Sequence, residues 1–234
     1  MKIPIVKTIL DKKWDEEVFI YFLDERDNVY DFGYDRIIAL HPDIVSARGK
    51  SEEEKRAIIA LYIDRYYQNN QQYIEDAKEK MQILWNDISA KYFIELEKIF
   101  GSLDFYQPKE IRAALSIAKT GVIGDDNASF QIWYQTIKEP DEVRRHFAHE
   151  ILHFCYYAYL KKEGLKTLSD NWDLAEIFDV VILGLPQFVS LIGKEDQGYK
   201  QHEKYFSYYK KLWAKGVNLD EYLEKTNNEG LKII

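Results

Sequence analysis

The chain has a single cysteine, Cys155, among 234 residues. No disulfide can form within it, which fits a cytosolic compartment. A surplus of basic residues is also missing. Lys and Arg number 32 against 40 Asp and Glu, for a formal net charge of -8, so the chain lacks the positive surplus that duplex nucleic-acid binding draws on. Long apolar runs are absent too. The longest nearly uncharged stretch, Val180–Gly193, is too short to span a bilayer and is broken by Gly184 and Pro186. It reads as a buried helix end followed by a core loop. The opening "MKIPIVKTILDKKWDEE" has no uninterrupted apolar core and no small-residue cleavage site. No signal peptide is expected, and the expected location is cytoplasmic.

What is present is material for a core. Hydrophobic residues make up 46% of the chain and aromatics 15%. That suits one large domain or one domain with an extension.

Residues 1–105 read as a mixed, mostly helical region. "VFIYFL" (Val18–Leu23) is β-rich, and "DERDN" after it is a turn signal. "VYDFGYDRIIAL" reads as a second strand of a hairpin, with helix as the alternative. Ser51 and Glu54 have capping-box spacing. Ala77, Met81, Leu84, Ile88, Tyr92, Leu96 and Ile99 recur at three- and four-residue intervals, which is a helical core stripe. The polar "QNNQQ" is a candidate break between two helices, and Gly101 a stop.

Residues 106–234 read differently. Phe130, Ile132 and Tyr134 alternate with Gln131, Trp133 and Gln135, a period of two that marks a strand with one buried face. With "IRAALSIA" before it and turn residues between, the expectation is an antiparallel hairpin. Pro140, with Asp141 and Glu142, opens a helix that Lys161, Lys162 and Gly164 close. Ser169 or Asp170 is the expected cap of the next helix, and two more helices come after it.

The first of these helices carries "RRHFAHEILHFCYYAYL". His149, Glu150 and His153 spell H-E-x-x-H. Residues four apart on a helix share a face, so both imidazoles can reach one ion. Glu150 is rotated about 100° from His149. It is poorly placed as a ligand but well placed as a general base toward a water. Phe147, Ala148, Ile151, Leu152 and Phe154 are uncharged flankers that allow the helix to be buried. The alternative is an amphipathic core helix with histidines at its edge. On the next helix Asp173, Glu176 and Asp179 step by three and share a face. His146 is about 10 Å along the helix from His153, too far to share its ion; it reads as structural. So do Cys155, as a small buried residue, and His41.

"HEILH" in this setting resembles the zincin metallopeptidases. The resemblance covers roughly residues 110–185. It implies an α+β, helix-rich zincin-like fold with a small antiparallel sheet, whose edge strand, here Gln131, Trp133 and Gln135, pairs with extended substrate. The metzincin subgroup needs a Gly and a third His soon after His153, and the sequence has Phe154-Cys155-Tyr156 there. The gluzincin subgroup takes its third ligand from a glutamate on the following helix. Glu176, 23 residues after His153, resembles it, although the subgroup's Asn-Glu pair and fourth-residue Asp are absent.

On that resemblance His149, His153 and Glu176 hold one zinc ion, and Asp179 orients His149. Glu150 is the base. A downstream Tyr or His stabilises the oxyanion, with His202 ranked ahead of Tyr199 and Tyr205. The implied activity is zinc-dependent hydrolysis of a peptide or protein. Two alternatives stand beside it: an acidic helical interaction protein with a structural or idle metal site, and a zinc hydrolase of non-peptide substrates.

Overall fold

The computed structural model describes residues 3–24 and 34–231. Strand β1 (Val6–Leu10) runs into helix α1 (Lys12–Asp24), and α2 (Tyr34–Leu40) comes next. The segment Val18–Leu23, expected as a strand, is therefore helical. Asp15, Phe19 and Leu23, four apart, are all buried. A run of six apolar residues carries no period of its own, so packing decided its conformation over β-propensity. Most of the turn signal, and the start of the second expected strand, fall in residues 25–33, outside the described residues. The remainder of that expected strand is α2.

Helix α3 (Glu52–Phe100) is continuous over 49 residues. The capping box forms at its start: the Ser51 N–H donates to Glu54 Oε2 at 3.1 Å, and the Glu54 N–H reaches Ser51 Oγ at 3.4 Å. "QNNQQ" does not break the helix. Ile63, Tyr67, Ile74, Ala77 and Met81 are buried on either side of it, so the apolar stripe passes beneath the polar residues uninterrupted. Gly101, at φ 72°, ends it.

Strands β2 (Ile111–Ser116) and β3 (Ser129–Trp133) complete a three-stranded sheet in the order β1-β2-β3. Both pairings are parallel, with Val6 beside Ile111 and Ala113 beside Phe130. The expected antiparallel sheet is thus not formed. The twelve residues between β2 and β3 are long enough for a crossover. The turn at Gly124–Asn127 is real, but it folds residues 122–124 back along the outer edge of β3: Gln131 N donates to Val122 O and Gly124 N to Ser129 O, both at 2.8 Å. Alternation also ends early. Ser129 through Ile132 are all buried, and Tyr134 begins a 3₁₀ turn, Tyr134–Lys138.

The remaining helices are α4 (Pro140–Glu163), α5 (Lys166–Ser169), α6 (Trp172–Leu183), α7 (Pro186–Ile192), α8 (Glu203–Ala214) and α9 (Leu219–Glu229). Pro140 opens α4, and Gly164, in the left-handed region, closes it. The cap of α6 is Asn171, whose side chain accepts from Leu174 N. Ser169 lies in α5 and Asp170 just after it, so neither caps. Soon after Leu183 the chain enters a further helix, α7, where a core loop was expected. No single described helix is long and apolar enough to cross a membrane; α6 and α7 together reach that composition but are bent by 85°.

The chain groups into two compact units. One unit, Val6–Ile83 with Ile111–Lys138, holds the sheet, α1, α2 and the first part of α3. Gln82 seals the edge of β1, donating to Val6 O and accepting from Thr8 N. Asp15 is fully buried there and accepts from Tyr67 Oη at 2.7 Å, Ser116 Oγ at 2.5 Å, Ile117 N at 3.3 Å and Gln131 Nε2 at 3.4 Å. His41 is buried between Tyr62 Oη and Ile117 O, the structural role expected of it.

The other unit holds the last part of α3 and helices α4 to α9. Trp85 stacks on Phe147 at 5.3 Å, and Tyr92 Oη donates to Ala148 O at 2.6 Å. Tyr156 stacks on Phe178 at 4.6 Å, which holds α4 against α6. Cys155 is buried, as expected, and burial pushes its thiol pKa up.

Candidate metal centre

Helix α4 presents His149 and His153 on one side because the residues around them are committed to the core. Phe147, Ala148, Ile151, Leu152 and Phe154 are fully buried. Glu176 comes from α6, held against α4 by the Tyr156–Phe178 stack. His153 Nε2 lies 3.1 Å from His149 Nε2 and 3.1 Å from Glu176 Oε1. His149 Nε2 lies 3.4 Å from Glu176 Oε2. The three residues form a group that can hold a metal ion, their ligand atoms all within 4.8 Å of one another.

Two ligand atoms at the usual zinc distances, in a tetrahedral site, are about 3.3–3.4 Å apart. The observed separations fit that edge length. Buried polar atoms at the site also want a partner. Among the described residues, Glu176 Oε2 and both Asp179 oxygens have no hydrogen bond; a buried carboxylate in that state takes up a proton or is balanced by a cation.

Asp179 Oδ2 lies 3.3 Å from His149 Nδ1 and 3.5 Å from His153 Nε2. The shorter contact to His149 is made by a residue that the sequence does not mark: Asp196 Oδ2, 2.8 Å from His149 Nδ1. It sits in "GKEDQG", twenty positions after Glu176, and no spacing rule singles it out.

The electrostatics arise from burial and crowding. Burial lowers the pKa of both imidazoles, but the carboxylates around them outweigh it. His149 is raised well above its ordinary value by Asp179, Asp196 and Glu176, and His153 is raised chiefly by Asp179. Burial lifts Glu176, yet His149 and His153 beside it hold it far below the carboxylate range. Asp179 is pushed up to about 8 by burial, against the pull of His153 and His149.

Glu150 is buried next to the ligand His149 in sequence, with His146 Nε2 3.5 Å from its Oε1. The Tyr157 ring stacks on His153 at 5.9 Å. His202, expected near a reacting oxyanion, is buried with Nε2 on Asp173 Oδ1 at 2.7 Å and packs against Trp172 and Tyr199. That contact gives both His202 and Asp173 a structural task. The expected substrate strand fares differently from the ligand set. The Gln131 N–H is used by Val122, and its side chain lies on Asp15. Trp133 lies under Lys119. Gln135 falls in the 3₁₀ turn, where it donates to Tyr134 Oη. Over Ser129–Gln131 the edge of β3 is already paired.

Compared with known proteins, the chain matches no family model, no curated protein and no solved structure.

Proposed function

We infer that the chain is a zinc-dependent hydrolase acting on peptide bonds, with His149, His153 and Glu176 as the metal ligands. The observation that carries this reading is the convergence of those three buried side chains at ligand-edge distances, with a glutamate next in sequence to the first histidine. A zinc ion held there supplies Lewis acidity and brings a water's pKa toward neutrality. The protein's own residues do the rest. Glu150, beside His149 in sequence but outside the ligand group, takes a proton from the attacking water and returns it to the leaving amine. Asp179 lies beside both imidazoles, 3.3 Å from His149 Nδ1 and 3.5 Å from His153 Nε2. Zinc is favoured over a harder ion by the two imidazoles in the donor set.

The experiment is elemental analysis of the purified chain and of His153→Ala, together with a peptide library read by mass spectrometry with wild type and Glu150→Gln. Stoichiometric zinc in wild type, its loss in His153→Ala, and cleavage lost but zinc kept in Glu150→Gln support the reading. Equal, near-zero zinc in wild type and His153→Ala, even after zinc is supplied, rejects it.

The raised pKa values of both histidines favour a second reading. In it, His149 and His153 with Glu176, Asp179 and Asp196 form a buried hydrogen-bonded and ion-paired cluster that serves structure, and the chain is a non-catalytic interaction protein. That cluster keeps its stability when zinc is chelated; a metal centre does not. Zinc held firmly with no cleavage of any peptide points to hydrolysis of another substrate.

A further inference from the structure

We propose that Asp196 is a positioning residue of the metal centre, and that through it the loop joining α7 to α8 closes on the site when an ion is held. This rests on the metal reading above.

Asp196 is only 3% exposed. Each of its oxygens has an assigned task. Oδ2 takes His149 Nδ1 at 2.8 Å and Arg145 Nη1 at 3.3 Å; Oδ1 accepts the Gly198 N–H at 2.9 Å. Arg145 lies one turn before His149 on α4 and is itself fixed, its Nε and Nη2 on Glu142 Oε1 at 3.0 and 2.5 Å. The other Glu142 oxygen takes Lys194 Nζ at 2.7 Å, from the start of the same loop. The loop is therefore stapled to the ligand helix twice, through Lys194 and through Asp196.

Its backbone is also seated. Gly198 has φ 58°, and a Cβ there would meet Val180 Cγ2 at 2.5 Å and Phe206 Cζ at 2.9 Å. The loop thus rests on α6, which carries Glu176, and on α8. No such tether reaches the second histidine: His153 Nδ1 has no hydrogen-bond partner among the described residues. Asp179 is near His149 Nδ1 but makes no hydrogen bond to it. Asp196 is what turns the His149 ring so that Nε2 faces His153 and Glu176. A carboxylate accepting from the outer nitrogen also makes the inner one a better ligand.

The consequence is reciprocal. If loop closure strengthens the ion's hold, the ion strengthens loop closure by the same factor. The test uses the full chain with zinc alone, in wild type, Asp196→Asn and Arg145→Gln. Affinity is read by competition with a chromogenic chelator. Loop closure is read from hydrogen exchange at the Gly198 amide, with and without zinc. In wild type, zinc slows that exchange by about 5–150-fold. Asp196→Asn weakens zinc by about 10–100-fold, and zinc no longer protects Gly198. Arg145→Gln, which leaves the His149 contact in place, shows a smaller loss in the same direction and keeps the inference testable if Asp196→Asn does not fold. Zinc held as tightly by either folded variant as by wild type overturns this inference alone, as does Gly198 exchange indifferent to zinc in wild type. A wild type that binds no zinc overturns the metal reading and this inference together.

Discussion

The Asp179 carboxylate stands 3.5 Å from Nε2 of His153, the nitrogen that also faces His149 and Glu176, yet neither of its oxygens accepts a hydrogen bond among the described residues. Burial without donors raises its pKa to about 8. A divalent ion between the histidines adds positive charge that favours the ionised carboxylate. Asp179→Asn is therefore expected to weaken zinc by about 10–100-fold while the far-ultraviolet circular dichroism stays that of wild type. Unchanged zinc affinity in a chelator competition removes this charge-balancing role.

Glu176 and Asp173 lie one turn apart on α6 but do different things. Glu176 faces His149 and His153; Asp173 holds His202. Glu176→Ala should lose zinc during dialysis against a chelator that leaves wild type loaded. Asp173→Ala should keep the metal. Elemental analysis of the two proteins side by side tests the assignment, and the reverse pattern refutes it.

Zinc binding should depend steeply on pH. Both histidines have pKa values raised by the carboxylates around them, so a metal competes with protons for the two imidazoles. Affinity should then rise with pH and keep rising above the ordinary histidine value of about 6.5. Calorimetry in two buffers of different ionisation enthalpy should show a net release of protons near neutrality. If none is released, the two imidazoles are already neutral before the ion arrives.

Asp15 makes a prediction independent of any metal. Burial raises its pKa to about 6, against the hydrogen bonds from Ser116 and Tyr67 that pull it down. The folded chain therefore holds this proton more tightly than the unfolded chain. That stabilisation is fully present below about pH 4 and is lost as pH rises through about 6; its full size is roughly 3 kcal/mol. Denaturant titrations across that window should show stability falling with pH from this group. Asp15→Asn should flatten the fall by that amount, and an identical pH profile in the variant means the carboxyl does not titrate there.

The ligand helix is readable because its information is local. His149, Glu150 and His153 lie within one turn and a half, and the caps of α4, Pro140 and Gly164, sit at its ends. The same holds for α3, where the Ser51–Glu54 box and an unbroken apolar stripe define a helix before any partner is known. Val18–Leu23 misleads for the complementary reason. A solid apolar run satisfies a strand and a buried helix equally, and only the partners of Phe19 and Leu23 choose between them.

Other features belong to tertiary structure alone. The Gly124–Asn127 turn is visible in the sequence, but whether it folds β3 against β2 or against residues 122–124 depends on which edge β2 presents. β1, a hundred residues earlier, joins β2 from the other side in parallel. Choosing Glu176 over Asp173 requires the packing of α4 on α6, because the three carboxylates share one helical face and spacing does not separate them. Asp196 is invisible in the sequence. A carboxylate bonds whatever donor the fold brings within about 3 Å, and the loop that carries Asp196 is brought to His149 by contacts at Gly198, Arg145 and Glu142 that are distributed over the chain. The sequence by itself determined which helix can ligate. The tertiary structure decided which carboxylates stand beside it, since hydrogen bonds are made by atoms close in space whatever their separation along the chain.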